Sequence, residues 1–510
     1  MPLGARNWLT PVAWIVAVVA VLLLVFPHGF PNYDTIYALV WGRELAHGLS
    51  PDYSGVLPPT PHPLADLLGL VTTPLGDGAI DVTMVIAYLS LGLIGYLVYR
   101  LGSLWFDRPI GAVAALIVLT RAPYLSNGLR AYVDLPYIAL CLGALVIETR
   151  RPRAGWPVLA LLALAGLLRP EAWLFSLAYL AYLAMDPEKP ESRERPGEAA
   201  RAPVERTDTQ SAGLIRPALV RVRGALVVPP MPLIALALAA PLLWALFDWI
   251  TTGSPTYSFT GTRETVDTLA RQTGPVDLVL YGPRRLGEVL QWPGMVGAAG
   301  GIAFGLAYLR RRSIIGVVAA ALALGAFAVL ACAGLAILPR YTMLAAAVLA
   351  IFTAVGLLGW RLLEADHPWR RAWQALAAIV ALMFVIWEPN QYDLLHRVDT
   401  DLTNQGRIED DLGDLANSSA FEPLCGPISV PNHRAVPRLA FDLDVRPRDI
   451  VSASEQEHQP RRGYFLKPAS PFVVHNFILD PNDPARFEIE VPPGFERVAA
   501  NESWILYRRC

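Results

Sequence analysis

Residues 8–53, WLTPVAWIVAVVAVLLLVFPHGFPNYDTIYALVWGRELAHGLSPDY, join an uninterrupted apolar run to a polar loop. The run from Trp8 to Phe26 approaches the roughly 20 residues with which a helix crosses a bilayer. It follows Arg6, as a signal peptide could, but it lacks a small-residue cleavage site and similar runs come after it. We therefore expect a retained transmembrane helix, with Asp34 in the loop beyond its end.

The composition supports a membrane protein. Of 510 residues, 54% are hydrophobic and 17% are charged, and the mean hydropathy is +0.40. The net charge of -2 gives no reason to expect a nucleic-acid partner, which would require a concentrated basic surface. Lys189 and Lys467 are the two lysines among many arginines, alanines and prolines, a bias typical of GC-rich bacterial genomes such as those of actinobacteria.

The fold class predicted from the apolar runs is mainly α, a polytopic bundle of about eleven transmembrane helices. Backbone groups in lipid must be satisfied within their own segment, so each run is expected to be helical. The pair between Gly155 and Met185 is too short for two full spans and should form two short or tilted helices meeting near LRPE. The predicted helices cover residues 9–27, 80–99, 109–120, 132–147, 156–168, 172–185, 231–250, 293–309, 314–338, 341–363 and 372–388.

Arginine distribution predicts the orientation. With the N-terminus in the cytoplasm, the inner loops contain Arg100, Arg108, ETRRPRAG, the RRR of 310–312 and HPWRR, which is the positive-inside pattern. The cytoplasmic 186–230 loop, rich in Pro, Arg and Glu, should be a flexible linker. The transmembrane domain is then residues 1–390, and residues 391–510 lie outside the cell.

The external segment 391–510 is predicted to be a small α/β domain. Short apolar or alternating runs such as CGPISVPN, PFVVHNFIL and SWILYRRC are separated by Pro, Asn and Gly. Cys425 and Cys510 both lie there, in an oxidising compartment, and are expected to form a disulfide; the alternative is two separate thiols.

Ionisable residues recur where the predicted helices reach the outer face. Such groups are costly near lipid, so they need partners or a function. They occur at five junctions, as Asp34, as Arg130 and Asp134, as Arg169 and Glu171, as Arg263 and Glu264, and as Arg340 with Tyr341.

The motifs at these junctions resemble the C superfamily of integral-membrane glycosyltransferases (GT-C), which use polyprenyl-phosphate sugars as donors. Asp34 in NYDTIY matches the acidic residue of the first outer loop, and Asp134 in YVDLP matches a second outer acidic position. GLLRPEAW is similar to the Arg-Pro-Glu signature of mannosyltransferase-like members, TTGSPTYSF to a later tGxPxxS element, and LPRYTM to an Arg-Tyr helix start. The chain departs from protein mannosyltransferases in lacking an adjacent acidic pair, because Thr35 follows Asp34.

The resemblance implies an inverting transferase of the mannosyl- or arabinosyltransferase kind, acting on a cell-envelope glycan, glycolipid or protein acceptor. Asp34 would be the catalytic base, unless it caps the helix that follows. Arg340, beside Tyr341, would bind the carrier phosphate, unless it is an interfacial anchor.

The other junction residues are candidates for substrate binding. Arg169 and Glu171 either contact substrate or pair with each other to hold the short hairpin. Asp134 either positions the acceptor or caps its helix, and Arg130 contacts substrate or anchors a helix end. Arg43, Glu44 and His47 are interpreted as the solvated face of a surface-lying helix.

The sequence assigns no cofactor, and the polyprenyl-phosphate sugar that the resemblance implies is a donor substrate. A divalent cation shared by Asp34 and a second carboxylate is chemically compatible, but no spacing supports it, and no His/Cys spacing suits zinc. The alternative functions are a transporter or flippase of lipid-linked saccharides and a membrane anchor for the tail. Transporters usually show internal repeats and midplane polar sites, and neither is evident here.

Overall fold

The computed structural model describes residues 9–55, 57–185, 228–422, 425–453, 460–479, 483–486 and 489–510. Most of the predicted 186–230 loop lies outside these residues. The first nine helices are α1 (Leu9–Val25), α2 (Tyr33–Ala46), α3 (Pro63–Thr72), α4 (Gly78–Trp105), α5 (Arg108–Leu119), α6 (Ala122–Gly128), α7 (Asp134–Arg150), α8 (Trp156–Gly166) and α9 (Glu171–Ala184). They are followed by α10 (Met231–Thr252), α11 (Tyr257–Thr268), α12 (Gly274–Tyr308), α13 (Arg310–Cys332), α14 (Met343–Leu358), α15 (Arg370–Ala416), α16 (Val436–Asp442) and α17 (Pro471–Phe477).

A helix lies at each of the eleven predicted positions, so the mainly helical membrane fold is confirmed. Within the described ranges, six helices are long and apolar enough to cross a membrane, or up to seven if α5 and α6, bent by 62°, form one broken span. The short pair around LRPE is also confirmed, since α8 has 11 residues and α9 has 14. The chain is a multi-pass membrane protein, whereas the side that each end faces stays a prediction.

Helix α14 is the centre of the bundle. Every residue from Met343 to Gly356 is buried, and the helix packs closely along α12. This close contact between α12 and α14 requires glycine at position 301, because a Cβ at Gly301 would lie 1.9 Å from the carbonyl oxygen of Phe352. The small residues of GAAGGIAFG, 297–305, therefore bring α12 against the helix that follows Arg340.

Helix α2 is buried rather than surface-lying, which corrects the sequence interpretation. Its residues from Thr35 to Gly42 are all buried between α3 and the C-terminal segment. On one side, a Cβ at Gly42 would lie 2.3 Å from the backbone nitrogen of Leu70 in α3, so the two helices cross backbone to backbone. On the other side, Tyr37 and Trp41 belong to the same apolar core as residues of the C-terminal sheet.

The C-terminal segment contains a five-stranded sheet of order β2-β1-β3-β5-β4. Parallel pairs join β1 to β2 and β3, and antiparallel pairs join β5 to β3 and β4. The sulfurs of Cys425 and Cys510 are bonded, which ties the end of the chain to the residues before β1. The strands are β1 (Ile428–Val430), β2 (Ile450–Ser452), β3 (Gly463–Pro468), β4 (Glu496–Ala500) and β5 (Trp504–Arg509).

Helix α15 joins this sheet to the membrane helices without a break. Its 47 residues would extend about 70 Å, more than twice the roughly 30 Å of a hydrocarbon core. Its C-terminal half therefore lies outside the membrane. The predicted boundary at residue 390 falls inside this helix, next to Pro389.

Candidate active site

Asp34 is held at the start of α2 by the residues around it. The helix cap is Asn32, whose side-chain oxygen accepts hydrogen bonds from the backbone N–H of Asp34 at 2.7 Å and of Thr35 at 3.3 Å. The side chains of Asn32 and Thr35 also donate to the carbonyls of Arg130 and Ala131. Because Asn32 performs the capping, the carboxylate of Asp34 is left for other contacts.

Arg340 reaches this carboxylate from a position 306 residues later in the sequence. It lies in the 3₁₀ turn Pro339–Thr342, immediately before α14. Its Nη1 lies 3.3 Å from Oδ2 of Asp34, and the side chains are 24% and 23% exposed. This loose, partly accessible pair contains both groups that the sequence predicted for the chemistry, a carboxylate and a guanidinium.

Arg169 forms a second, tighter ion-pair cluster with two carboxylates. Its Nη1 lies 2.5 Å from Oδ1 of Asp134, and its Nη2 lies 2.6 Å from Oε1 of Glu171. All three residues are buried. The expected pairing of Arg169 with Glu171 is present, and Asp134 joins it from α7. Oδ2 of Asp134 is also buried, and no described residue hydrogen-bonds to it.

Tyr341 connects the two clusters. The Arg169 guanidinium lies 4.2 Å from the centre of the Tyr341 ring, and that of Arg340 lies 5.3 Å from it. Arg340 also lies over the ring of Tyr132, at 5.2 Å. The aromatic rings fix both guanidinium groups without neutralising them.

A cavity of about 1090 Å³ joins these groups. Its polar part is lined by Asp34, Asp134, Arg169, Glu171, Arg340 and Tyr341. Its apolar part is lined by side chains of α9, α10, α11 and α13, among them Leu174, Leu177, Trp244, Phe259 and Leu330. The arrangement suits a ligand with an anionic head and a hydrocarbon chain.

Three groups in the cavity lining were not predicted from the sequence. His62 packs edge to face on Trp244 at 5.8 Å, and burial, together with the charge of Arg169, lowers the pKa of its imidazole to about 3. Ser258, the second serine of TTGSPTYSF, donates from its backbone N–H and hydroxyl to Asp248 at 2.9 and 2.7 Å. A lone histidine in a Pro-rich loop carries no sequence signal for such a position.

Arg130, predicted to contact substrate, is not among the described residues that line the cavity. Its guanidinium donates to the hydroxyl of Ser126 and, at 3.0 Å, to the side-chain oxygen of Gln405 on α15. This geometry fits the anchoring alternative. Arg263 and Glu264 are also not among the described lining residues.

Polar residues of the first loop bind the C-terminal segment instead of water, which corrects the interpretation of Arg43 and Glu44. Arg446 Nε lies 2.9 Å from Oε1 of Glu44, which is buried. Arg448 Nε lies 3.0 Å from Oδ2 of Asp52, also buried. His47 alone of the predicted solvated set is exposed.

Arg43 adds carbonyl contacts to this interface. Its guanidinium donates to the carbonyls of Ala440 and Phe441, each at 2.9 Å. Burial raises the pKa of Glu44, whereas hydrogen bonds from Ser54 and Arg448 outweigh burial and lower the pKa of Asp52. The contacts fix α2, and with it Asp34, against the C-terminal sheet.

The residues around Asp34 do not fit a bound divalent cation. Over the described ranges, no group of three or more His, Cys, Asp or Glu side chains could hold a metal ion. The neighbour of Asp34 is the guanidinium of Arg340, a positive group that would repel a cation.

Together these features define an integral-membrane helical bundle with a small C-terminal α/β domain and a cavity that holds paired charges. The chain has the fold of ArnT from Cupriavidus metallidurans, whose crystal structure bound to undecaprenyl phosphate aligns with a TM-score of 0.52 at 15% identity, over 99% of this chain and 98% of that chain. ArnT in the apo state aligns with a TM-score of 0.49 at 15% identity, over 98% of each chain. An Archaeoglobus fulgidus oligosaccharyltransferase tethered with an acceptor peptide aligns with a TM-score of 0.44 at 11% identity, over 91% of this chain and 69% of that chain. No family model and no curated protein matches the sequence.

Proposed function

We propose that this protein is a membrane glycosyltransferase that moves a sugar from a polyprenyl-phosphate donor to an acceptor hydroxyl. The observation that carries the proposal is the pair of Asp34 and Arg340, 3.3 Å apart in a cavity with an apolar part. A base and a phosphate-binding cation are the two groups that this transfer needs.

The reaction is a single displacement. Asp34 removes the proton from the acceptor hydroxyl, and the oxygen attacks the anomeric carbon of the donor. The bond between that carbon and the phosphate oxygen breaks, and the electron pair leaves with the lipid phosphate, so the configuration at the anomeric carbon inverts. Arg340 stabilises the negative charge that develops on the phosphate. Arg169 is held by two short, buried ion pairs with Asp134 and Glu171, whereas Arg340 has one longer, partly exposed pair with Asp34, so Arg340 is the principal phosphate ligand.

The carrier is proposed to be a polyprenyl phosphate. The apolar side chains from α9, α10, α11 and α13 suit an isoprenoid chain, and ArnT, which has this fold, was crystallised with undecaprenyl phosphate. The sugar is proposed to be mannose or arabinofuranose, and the acceptor a glycan, glycolipid or protein of the cell envelope. Transfer takes place on the outer face of the plasma membrane, with the N-terminus in the cytoplasm.

A reconstituted assay tests this function. The full chain in proteoliposomes is supplied with decaprenyl-phosphate mannose or decaprenyl-phosphate arabinofuranose, labelled in the sugar, and with envelope lipids of an actinobacterium as acceptors. We expect labelled product together with released decaprenyl phosphate. Labelled donor crossing the bilayer without a new glycosidic bond would instead favour a flippase.

Two variants separate the roles. Asp34→Asn should lower kcat by about 10²–10⁴-fold, the usual contribution of a general base, with donor binding retained. Arg340→Gln should weaken donor binding as well. Asp267→Asn and Arg284→Gln are matched controls at exposed positions outside the cavity lining. Turnover of Asp34→Asn at the control rate would remove Asp34 from the role of base.

A further inference from the structure

A turn of the C-terminal domain enters the cavity. His433 and Arg434, which follow β1, line it together with Asp34 and Arg340. Asn432 stabilises the turn by accepting a hydrogen bond from the Arg434 backbone N–H at 3.1 Å, and its amide donates to Asp483 at 3.3 Å. The ring of His433 packs edge to face on Tyr33, the residue before Asp34, at 5.5 Å. The C-terminal domain is thus one wall of the site beside the proposed base.

Arg434 differs from the other arginines in the polar part of the cavity in how its charge is paired. Arg340 pairs with Asp34, and Arg169 pairs with two carboxylates. The guanidinium of Arg434 forms no hydrogen bond or ion pair with any residue in the described ranges, although the residue is only partly exposed. Arg271 at the cavity rim is exposed, so water can solvate its charge.

A partly buried guanidinium that forms no ion pair is unfavourable, so a ligand anion at this position would be stabilising. Arg434 also acts on the buried carboxyl of Glu409 in α15, but Glu409 is not among the described residues that line the cavity. Beside Tyr33 the cavity lining presents two guanidinium groups, Arg340 and Arg434, and one carboxylate, Asp34, so this region of the cavity is positive. One phosphate, on the donor, is already assigned to Arg340, so Arg434 remains for a second negative group.

We propose that Arg434 binds an anionic group, a phosphate or carboxylate, on the acceptor next to the hydroxyl that Asp34 deprotonates. The inference rests on the proposed function and narrows its acceptor class to an anionic one. The acceptor is favoured over the donor because Arg434 belongs to the wall that touches Tyr33, beside the base. A second phosphate on the donor would present the same chemistry, and the test separates the two sources.

Native mass spectrometry of the full chain in detergent provides the test, since it counts bound lipids without requiring turnover. The acceptor probes are phosphatidylglycerol, which is anionic and carries hydroxyls, and neutral monoglucosyl diacylglycerol. The donor probes are undecaprenyl phosphate and undecaprenyl diphosphate. The variants are Arg434→Gln, Arg434→Lys and the control Arg497→Gln, which changes an exposed arginine on β4 of the same domain.

We expect Arg434→Gln to bind phosphatidylglycerol about 10-fold more weakly, in line with the loss of one charge-assisted hydrogen bond, with undecaprenyl phosphate binding unchanged. Arg434→Lys should retain part of the affinity because it keeps the charge, and Arg497→Gln should match the wild type. Undiminished phosphatidylglycerol binding by Arg434→Gln would overturn the inference. Weakened binding of undecaprenyl diphosphate alone would also overturn it, by assigning the anion to the donor. Failure of undecaprenyl phosphate to bind the wild type would contradict the proposed function, while the phosphatidylglycerol comparison still reports on Arg434.

Discussion

Replacing Arg169 with methionine would leave Asp134 and Glu171 buried without a counter-ion. The three side chains are less than a tenth exposed, and the two ion pairs measure 2.5 and 2.6 Å. Removing one partner from a buried pair typically costs about 3–5 kcal/mol, because the remaining charge is left uncompensated. Here two carboxylates share one arginine, so we expect the loss in stability to lie at the upper end of that range.

The expected loss of stability in Arg169→Met arises from the unpaired charges rather than from the change in side-chain volume, and a second variant tests this. The triple variant Arg169→Met, Asp134→Asn, Glu171→Gln removes all three charges and should recover most of the lost stability, while Arg169→Met alone should not. Asp134→Asn alone keeps the pair of Arg169 with Glu171 and should cost about 1–3 kcal/mol.

Thermal unfolding of the full chain in detergent, followed by size-exclusion chromatography after heating, measures these differences. If the triple variant is as unstable as Arg169→Met, the loss comes from the packing of the arginine against Tyr341 and the electrostatic reasoning is refuted.

Three further predictions concern the supports of the site. Burial raises the pKa of Glu409, on the C-terminal half of α15, to about 7, so its stabilising contribution is full below about pH 4.5 and is lost as the pH rises through 7. The melting temperature of Glu409→Gln should therefore decline less between pH 5 and 8 than that of the wild type. The difference in free energy of unfolding is at most about 3 kcal/mol, and an unchanged pH profile would contradict the prediction. Gly42→Val should lower the melting temperature by several degrees, because even a Cβ would lie 2.3 Å from a backbone nitrogen of α3; Gly261→Ala, in a helix with open space around it, is the control. Arg448→Gln should leave the buried carboxylate of Asp52 without its charged partner, and hydrogen exchange should quicken at residues 446–452 if the ion pair stabilises the docking of the C-terminal segment.

The membrane helices could be predicted because lipid leaves the backbone no other way to satisfy its polar groups. Each apolar run became a helix, and the shortness of α8 and α9 followed from the 31 residues available between Gly155 and Met185. The parity of the predicted spans also assigned Asp34 and Arg340 to the same face of the membrane. Their contact, across 306 positions, needed the structure, because parity gives the face but not the neighbours.

The burial of α2 could not be predicted for a related reason. Its charged residues have the spacing of a solvated helix, and their partners, Arg446 for Glu44 and Arg448 for Asp52, lie about 400 positions later. A single sequence contains no signal that pairs such distant charges. Arg434 was missed likewise, since its position in the cavity depends on how the C-terminal sheet packs against α2.

The way α2 is packed has a consequence for catalysis. The helix that carries the proposed base shares one apolar core with the C-terminal sheet, through Tyr37 and Trp41, and crosses α3 without intervening side chains. Asp34 therefore faces Arg340 at 3.3 Å only while the sheet stays docked on α2. A displacement of about 1 Å can lower an enzymatic rate about 100-fold. If Asp34 is the base, changes at Glu44, Asp52 or their arginine partners should thus lower turnover although none of these residues lines the cavity.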